Sequence, residues 1–246
     1  MKMILGLAAA CLLTTVSTVA TAATTYTFTT NSGTITSSSG SGATNSYVFT
    51  STAGGATATI TGYQASQSAG TIARAALGAY SPGLGVVGQG DGDGSSNLHQ
   101  LDNAGGYTDF VQIVFDRAVT LNSVGLTSYF LPGTNVIDND LSFLALSSAL
   151  SGSVNPAGWT DIAGAGGNSS GLTATALTGS SAASRYWLVG AAMGTSSGFN
   201  DGFKISSLNV TAAVPEPSTW AMMLVGFGAI GVAGRSGRSK FIRAVA

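Results

Sequence analysis

The chain has 246 residues, only 8% of them charged, and a single cysteine, which rules out a disulfide framework and a cysteine metal cluster. The formal net charge of -1 hides an imbalance: residues 23–213 hold nine aspartates against three arginines and one lysine, and four more basic residues crowd the C-terminal end. An acidic body without a cationic face excludes nucleic acid as its partner, because phosphates demand Lys and Arg.

Residues 1–22, MKMILGLAAACLLTTVSTVATA, set one lysine before the apolar run Met3–Leu13 and end on Ala20-Thr21-Ala22. An A-x-A triplet behind a short apolar run predicts a secretory signal peptide, cut after Ala22 or Ala23. The run is too short to span a bilayer. Cys11 lies inside it, with Ala8 where a lipoprotein signal needs a larger residue, so no lipid anchor is expected there.

From residue 23 onward the pattern is β. TTYTFTT sets Tyr26 and Phe28 on one face, ATATITGY interleaves threonines with Ala and Ile60, and DFVQIVFD alternates Val111, Ile113 and Phe115 with polar Gln112 and Asp116, though Val114 also falls on the polar side. VTLNSVGL, DLSFLALS, SRYWLVG and FKISSLNV continue in the same way. Short runs rich in Val, Ile, Thr and aromatics, bounded by Gly, Asn and Ser, predict about nine or ten strands. AGTIARAALGAY from Ala69 is the one stretch that predicts two or three helical turns. The expected fold is all-β: an antiparallel β-sandwich, jelly-roll-like, over residues 23–213. Residues 31–46 and 163–184 read as Ser/Gly-rich loops or edge hairpins.

The acidic loop GQGDGDGSSNLHQLDN gathers Asp91, Asp93, Asn97, Asp102 and Asn103 within thirteen residues. Such oxygen ligands suit a structural Ca2+, the one cofactor to consider; a solvated Asx-turn loop competes with it. An EF-hand is excluded, since Ser96 stands at the turn-glycine position and Asp102 at the bidentate Glu position. His99 is the sole histidine, and it precedes the serines of both GNSSG and GTSSG, against hydrolase order. Glu216 is the only glutamate, so paired carboxylates for glycoside hydrolysis are not legible. The chain reads as noncatalytic. Stacking of a sugar on an exposed ring is the alternative: Trp159, in the loop NPAGWTD, is the candidate glycan contact, whereas Trp187 reads as core.

Residues 214–246 change character. Pro215-Glu216-Pro217-Ser218-Thr219-Trp220 leads into an uncharged run to Gly234, and Arg235, Arg238, Lys240 and Arg243 follow. Seventeen residues of helix, 218–234, reach about 25 Å, enough for one transmembrane helix with snorkelling flanks. The positive-inside rule then keeps the basic stop-transfer end cytoplasmic and residues 23–217 outside the inner membrane. The prolines hold the preceding segment extended.

VPEPSTWAMMLVGFGAIGVAGR resembles the PEP-CTERM sorting signal, also catalogued as the ice-binding-protein C-terminal motif. The resemblance implies processing by exosortase, a membrane protease of Gram-negative bacteria that make exopolysaccharide, followed by release or attachment at the surface. The basic end departs from the family in being spread as RSGRSKFIR. Residues 77–126 are also similar to the central region of exosortase-dependent surface proteins, through a Gly-Leu-Gly-Val turn at Gly83–Val86, Asp102-Asn103 and the strand Asp109–Phe115. The expectation is an exported surface or extracellular-matrix protein tied to exopolysaccharide and biofilm. Its rival is a carbohydrate-binding module acting on exopolysaccharide.

Overall fold

The computed structural model describes residues 20–28, 36–38, 46–50, 55–81, 83–88, 99–128, 139–150, 160–162, 172–176, 181–193, 201–214, 224–228 and 230. Contacts divide the chain into Thr21–Ala213 and a second unit of Met1–Ala20 with Val214–Ala246.

The strands in chain order are β1 (Ala20–Thr27), β2 (Thr36–Ser38), β3 (Ser46–Thr50), β4 (Thr57–Ser66), β5 (Ile72–Arg74), β6 (Ala76–Tyr80) and β7 (Gly83–Val87). Then come β8 (Leu101–Asp102), β9 (Tyr107–Ser128), β10 (Leu141–Leu146), β11 (Thr160–Ile162), β12 (Leu172–Ala176), β13 (Ser184–Ala191) and β14 (Gly202–Val214). All fourteen join one hydrogen-bonded sheet whose main path runs β11-β10-β13-β9-β14-β7-β6. The architecture is antiparallel β, as expected, but as one curled sheet in place of two separate ones.

The curl is built around β9, whose 22 residues absorb the two runs DFVQIVFD and VTLNSVGL that the sequence presents as separate strands. Val119 meets Ser184 of β13 on one edge and Ala212 of β14 on the other. Along the first edge β13 is succeeded by β12; along the second, β4 is succeeded by β14. One strand thus serves two layers.

Bulges make this possible, since an extra residue bends a strand and flips its inward face. Asn122 is extra on β9, between Ser123↔Asn209 and Leu121↔Val210; Ser206 is extra on β14, between Ile205↔Leu126 and Ser207↔Gly125. The inward set on β9 accordingly shifts phase from Val119 and Leu121 to Val124 and Leu126, and on β14 from Phe203 and Ile205 to Leu208 and Val210. A third irregularity sets residues 115–118 of β9 against Arg185 alone.

The main core draws Phe28, Ile60, Leu84, Ile113, Phe115, Trp187, Phe203 and Leu208 from both layers. A smaller cluster of Ala65, Phe110 and Leu188 covers the other face of β9, which explains the apolar residues on its nominally polar side.

Two local expectations are corrected. AGTIARAALGAY forms β5 and β6, not helix. A turn closes at Gly70, whose φ of 64° suits glycine, with Gly70 N–H donating to Ser66 O at 2.7 Å. Beyond it, Ala75 and Leu77 alternate into the core while β6 pairs with β7. Strand pairing with β4 and β7 outweighs the helix propensity of alanine here. The Gly-Leu-Gly-Val segment is likewise strand β7, not a turn. A Cβ at Gly85 would lie 1.9 Å from the carbonyl oxygen of His99, so only glycine lets that backbone approach.

In the second unit, the helical residues described are 224–228 and 230, with Leu224 (72%) and Ile230 (70%) exposed. Among the described residues no helix is long and apolar enough to cross a membrane.

Candidate functional site

Two of the five acidic-loop candidates lie among the described residues. Asp102 ends β8 and Asn103 follows it; both are buried. Asp91, Asp93 and Asn97 lie outside the described residues, as do Trp159, Pro215 to Trp220, Arg235, Arg238, Lys240, Arg243 and both G-x-S-x-G serine motifs.

Asp102 Oδ1 accepts from Ala104 N–H at 3.0 Å, an Asx turn. Asn103 is tied further in. Its Oδ1 accepts from Asp201 N–H at 2.9 Å, and its Nδ2 donates to Asp201 Oδ2 and to Ala192 O, the latter at 3.3 Å. Asp201 Oδ1 accepts in turn from Asp140 N–H at 3.1 Å, and Ala192 N–H donates to Asp140 O at 3.1 Å. Gln67 Nε2 adds bonds to Asn103 O and Tyr107 O at 2.6 and 3.0 Å. The carboxylate of Asp201 is fully buried at the threshold of β14, so this network clasps the ends of β8, β10, β13 and β14. Among the described residues no group of three or more His, Cys, Asp or Glu is placed to hold a metal.

His99 lies two residues before β8. Its ring stacks on Tyr80 at 5.6 Å, and Lys204 Nζ stands 5.0 Å from the centre of the same Tyr80 ring. Lys204 follows Phe203 on the opposite face of β14, where the Tyr80 ring lies against it; it is only 1% exposed. Burial pushes its ammonium down from the usual 10.5 to about 8.

A folded-state pKa below the unfolded one means that the unfolded chain binds more protons between those values, so stability rises with pH there. Wild type is expected to gain on the order of 2 kcal/mol relative to Lys204→Met between about pH 8 and 10. Urea midpoints for the two proteins across that window measure it; parallel curves refute it. The comparison must be differential, because the buried Tyr26 hydroxyl, which donates to Ala56 O and is pushed up to about 12, lowers stability above pH 10 in both proteins.

Trp187 is fully buried, as its sequence context indicates, and its Nε1–H is shared between Ser184 O at 3.1 Å and Val119 O at 3.3 Å. It is unavailable to a ligand. The Asp201 clasp and the buried Lys204 went unread in the sequence. The only local hint was a charge set within a strand pattern.

The described geometry is that of an antiparallel β protein in which Asn103 and Asp201 bond each other and nearby backbone, and whose last strand ends immediately before Pro215. Its class is therefore an extended-sheet domain with an appended C-terminal segment. That segment is identifiable: residues 213–239 match the family model for the PEP-CTERM protein-sorting motif. The chain carries this sorting signal, which implies exosortase-dependent sorting of an exported protein, with processing at the membrane. The motif is the exosortase recognition signal, which supports exosortase as the processing partner. No curated protein and no solved structure matches the chain.

Proposed function

We propose that this is a noncatalytic surface or extracellular-matrix protein of a Gram-negative bacterium, associated with exopolysaccharide and biofilm. The sorting-motif match, beginning where β14 ends, carries the reading. Residues 1–22 act as signal peptide and residues 23–213 as the exported body, a jelly-roll-like sandwich in which the curled sheet supplies both layers. Residues 218–234 form the membrane span of the sorting intermediate. Arg235, Arg238, Lys240 and Arg243 hold its end in the cytoplasm, which leaves the body in the periplasm until exosortase acts. The engagement of Asn103, Asp140 and Asp201 with one another and with backbone supports a structural role for these polar residues.

Mass spectrometry of the mature C-terminus tests the reading. A new end near Pro215 is expected, and Pro215→Ala/Glu216→Ala/Pro217→Ala is expected to reduce processing by roughly a hundredfold, since a linear recognition string tolerates loss of its core poorly. Mature protein that still ends at Ala246 sinks it.

Burial of Trp187 favours one second reading, in which Trp159 is the tryptophan of the exported body left to stack on a sugar. Exopolysaccharide binding lost in Trp159→Ala, with folding intact, would establish that carbohydrate-binding role.

A further inference from the structure

The first strand and the last are neighbours: β1 pairs with β14. Two hydrogen bonds set their register. Phe28 N–H donates to Ser206 O at 2.8 Å, and Asn209 Nδ2 donates to Thr25 Oγ1 at 2.9 Å. Moving toward the N-terminus on β1 moves toward the C-terminus on β14, so the pair is antiparallel. Continued, the register brings Ala22 opposite Ala212 and Thr21 opposite Ala213. The strand bounds agree, for β1 opens at Ala20 and β14 closes at Val214. On the other edge of β14 the ladder with β9 ends at Val119↔Ala212. Among the described residues, then, 213 and 214 are held in the sheet by β1 alone.

The residues that hold them are the Ala20-Thr21-Ala22 triplet at which the signal peptide is cut. Hydrolysis after Ala22 or Ala23 adds water across one amide, leaving a carboxylate on the leader and an ammonium on the mature chain. It also removes the β1 residues opposite Ala212, Ala213 and Val214.

We infer that removal of the signal peptide uncovers the Ala212–Val214 edge of β14 as the docking strand for exosortase, immediately upstream of Pro215. This rests on the sorting reading above and adds an order of events to it. A protease groove takes its substrate as an extended strand and bonds to its free N–H and C=O groups, and an uncovered strand end offers these groups. While the leader persists, β1 occupies them. The N-terminal cut therefore precedes the C-terminal one, and the protein is not released at one end while still tethered at the other.

The test uses the full chain in a host with and without exosortase. Ala20→Tyr/Ala22→Tyr/Ala23→Tyr removes the small residues that signal peptidase needs but leaves strand-forming side chains. It is expected to keep the leader and to slow C-terminal processing by roughly tenfold or more, equivalent to about 1.4 kcal/mol of strand opening. A second variant separates pairing from tethering. Ala22 shares the hydrogen-bonded phase of Phe28, so Ala20→Tyr/Ala22→Pro/Ala23→Tyr keeps the leader but deletes that ladder bond. It is expected to recover processing to within about threefold of wild type, because a broken ladder opens cheaply. Normal processing of the first variant, or continued failure of the second, overturns the inference. Wild type left unprocessed when exosortase is present would instead overturn the sorting reading itself.

Discussion

Trp187→Ala is expected to destabilise the exported body by about 3–5 kcal/mol, the range for truncating a fully buried aromatic. Trp187 sits on β13 directly behind the place where residues 115–118 of β9 bow out against Arg185. Its ring fills the space beside Phe143, 6.4 Å away, while its N–H is shared by the carbonyls of Val119 on β9 and Ser184 on β13, a pair that closes one end of the bulge. Alanine loses the packing, opens a cavity and leaves two buried carbonyls without that donor. Against a total stability of roughly 5–15 kcal/mol, the loss brings the fold near its limit. Denaturant unfolding is the measurement, read as a shift in midpoint at constant slope. Trp187→Phe, which keeps most of the volume, should lose only about 1–2 kcal/mol. A loss below about 1.5 kcal/mol for Trp187→Ala would show that the ring is not what supports the bulge.

Asp201→Ala should destabilise by about 3–4 kcal/mol, and for a different reason. The side chain is small and its volume matters little; what matters is that its buried carboxylate accepts from the Asn103 amide and from Asp140 N–H. Removing one partner strands the others in a dry site, which costs more than the bond was worth. Thermal unfolding should fall by roughly 10 °C, at a few degrees per kcal/mol for a domain of this size. A double-mutant cycle with Asn103→Ala gives the sharper reading. The two residues bond each other twice, so a coupling of about 1–3 kcal/mol is expected. Strict additivity would mean that the clasp does not act as a unit.

Both sites illustrate how unevenly the fold could be read in advance. Alternation identified β1, β4, β9, β10, β13 and β14, because period two survives wherever one face is buried. It misjudged Ala69–Tyr80, where alanine-rich sequence satisfies either period and a glycine turn with hairpin pairing to β4 and β7 decided. The steps from Leu121 to Val124 and from Ile205 to Leu208 broke the period in plain sight, yet only the partner strands reveal them as bulges at Asn122 and Ser206. Asn103, Asp140 and Asp201 are 37 and 61 residues apart in succession, so no local window could show that they meet.

The amino-acid sequence by itself determined the β character of the body and the sorting signal. Alternating polarity is a property of neighbours along the chain, and a motif that another protein recognises as a linear string needs no fold to be legible. Tertiary structure alone decided which polar groups are buried, where the strands bulge, and that the first strand lies against the last. Those outcomes depend on which distant residues share a surface, and strand pairing sets that across the whole chain, beyond the reach of local pattern.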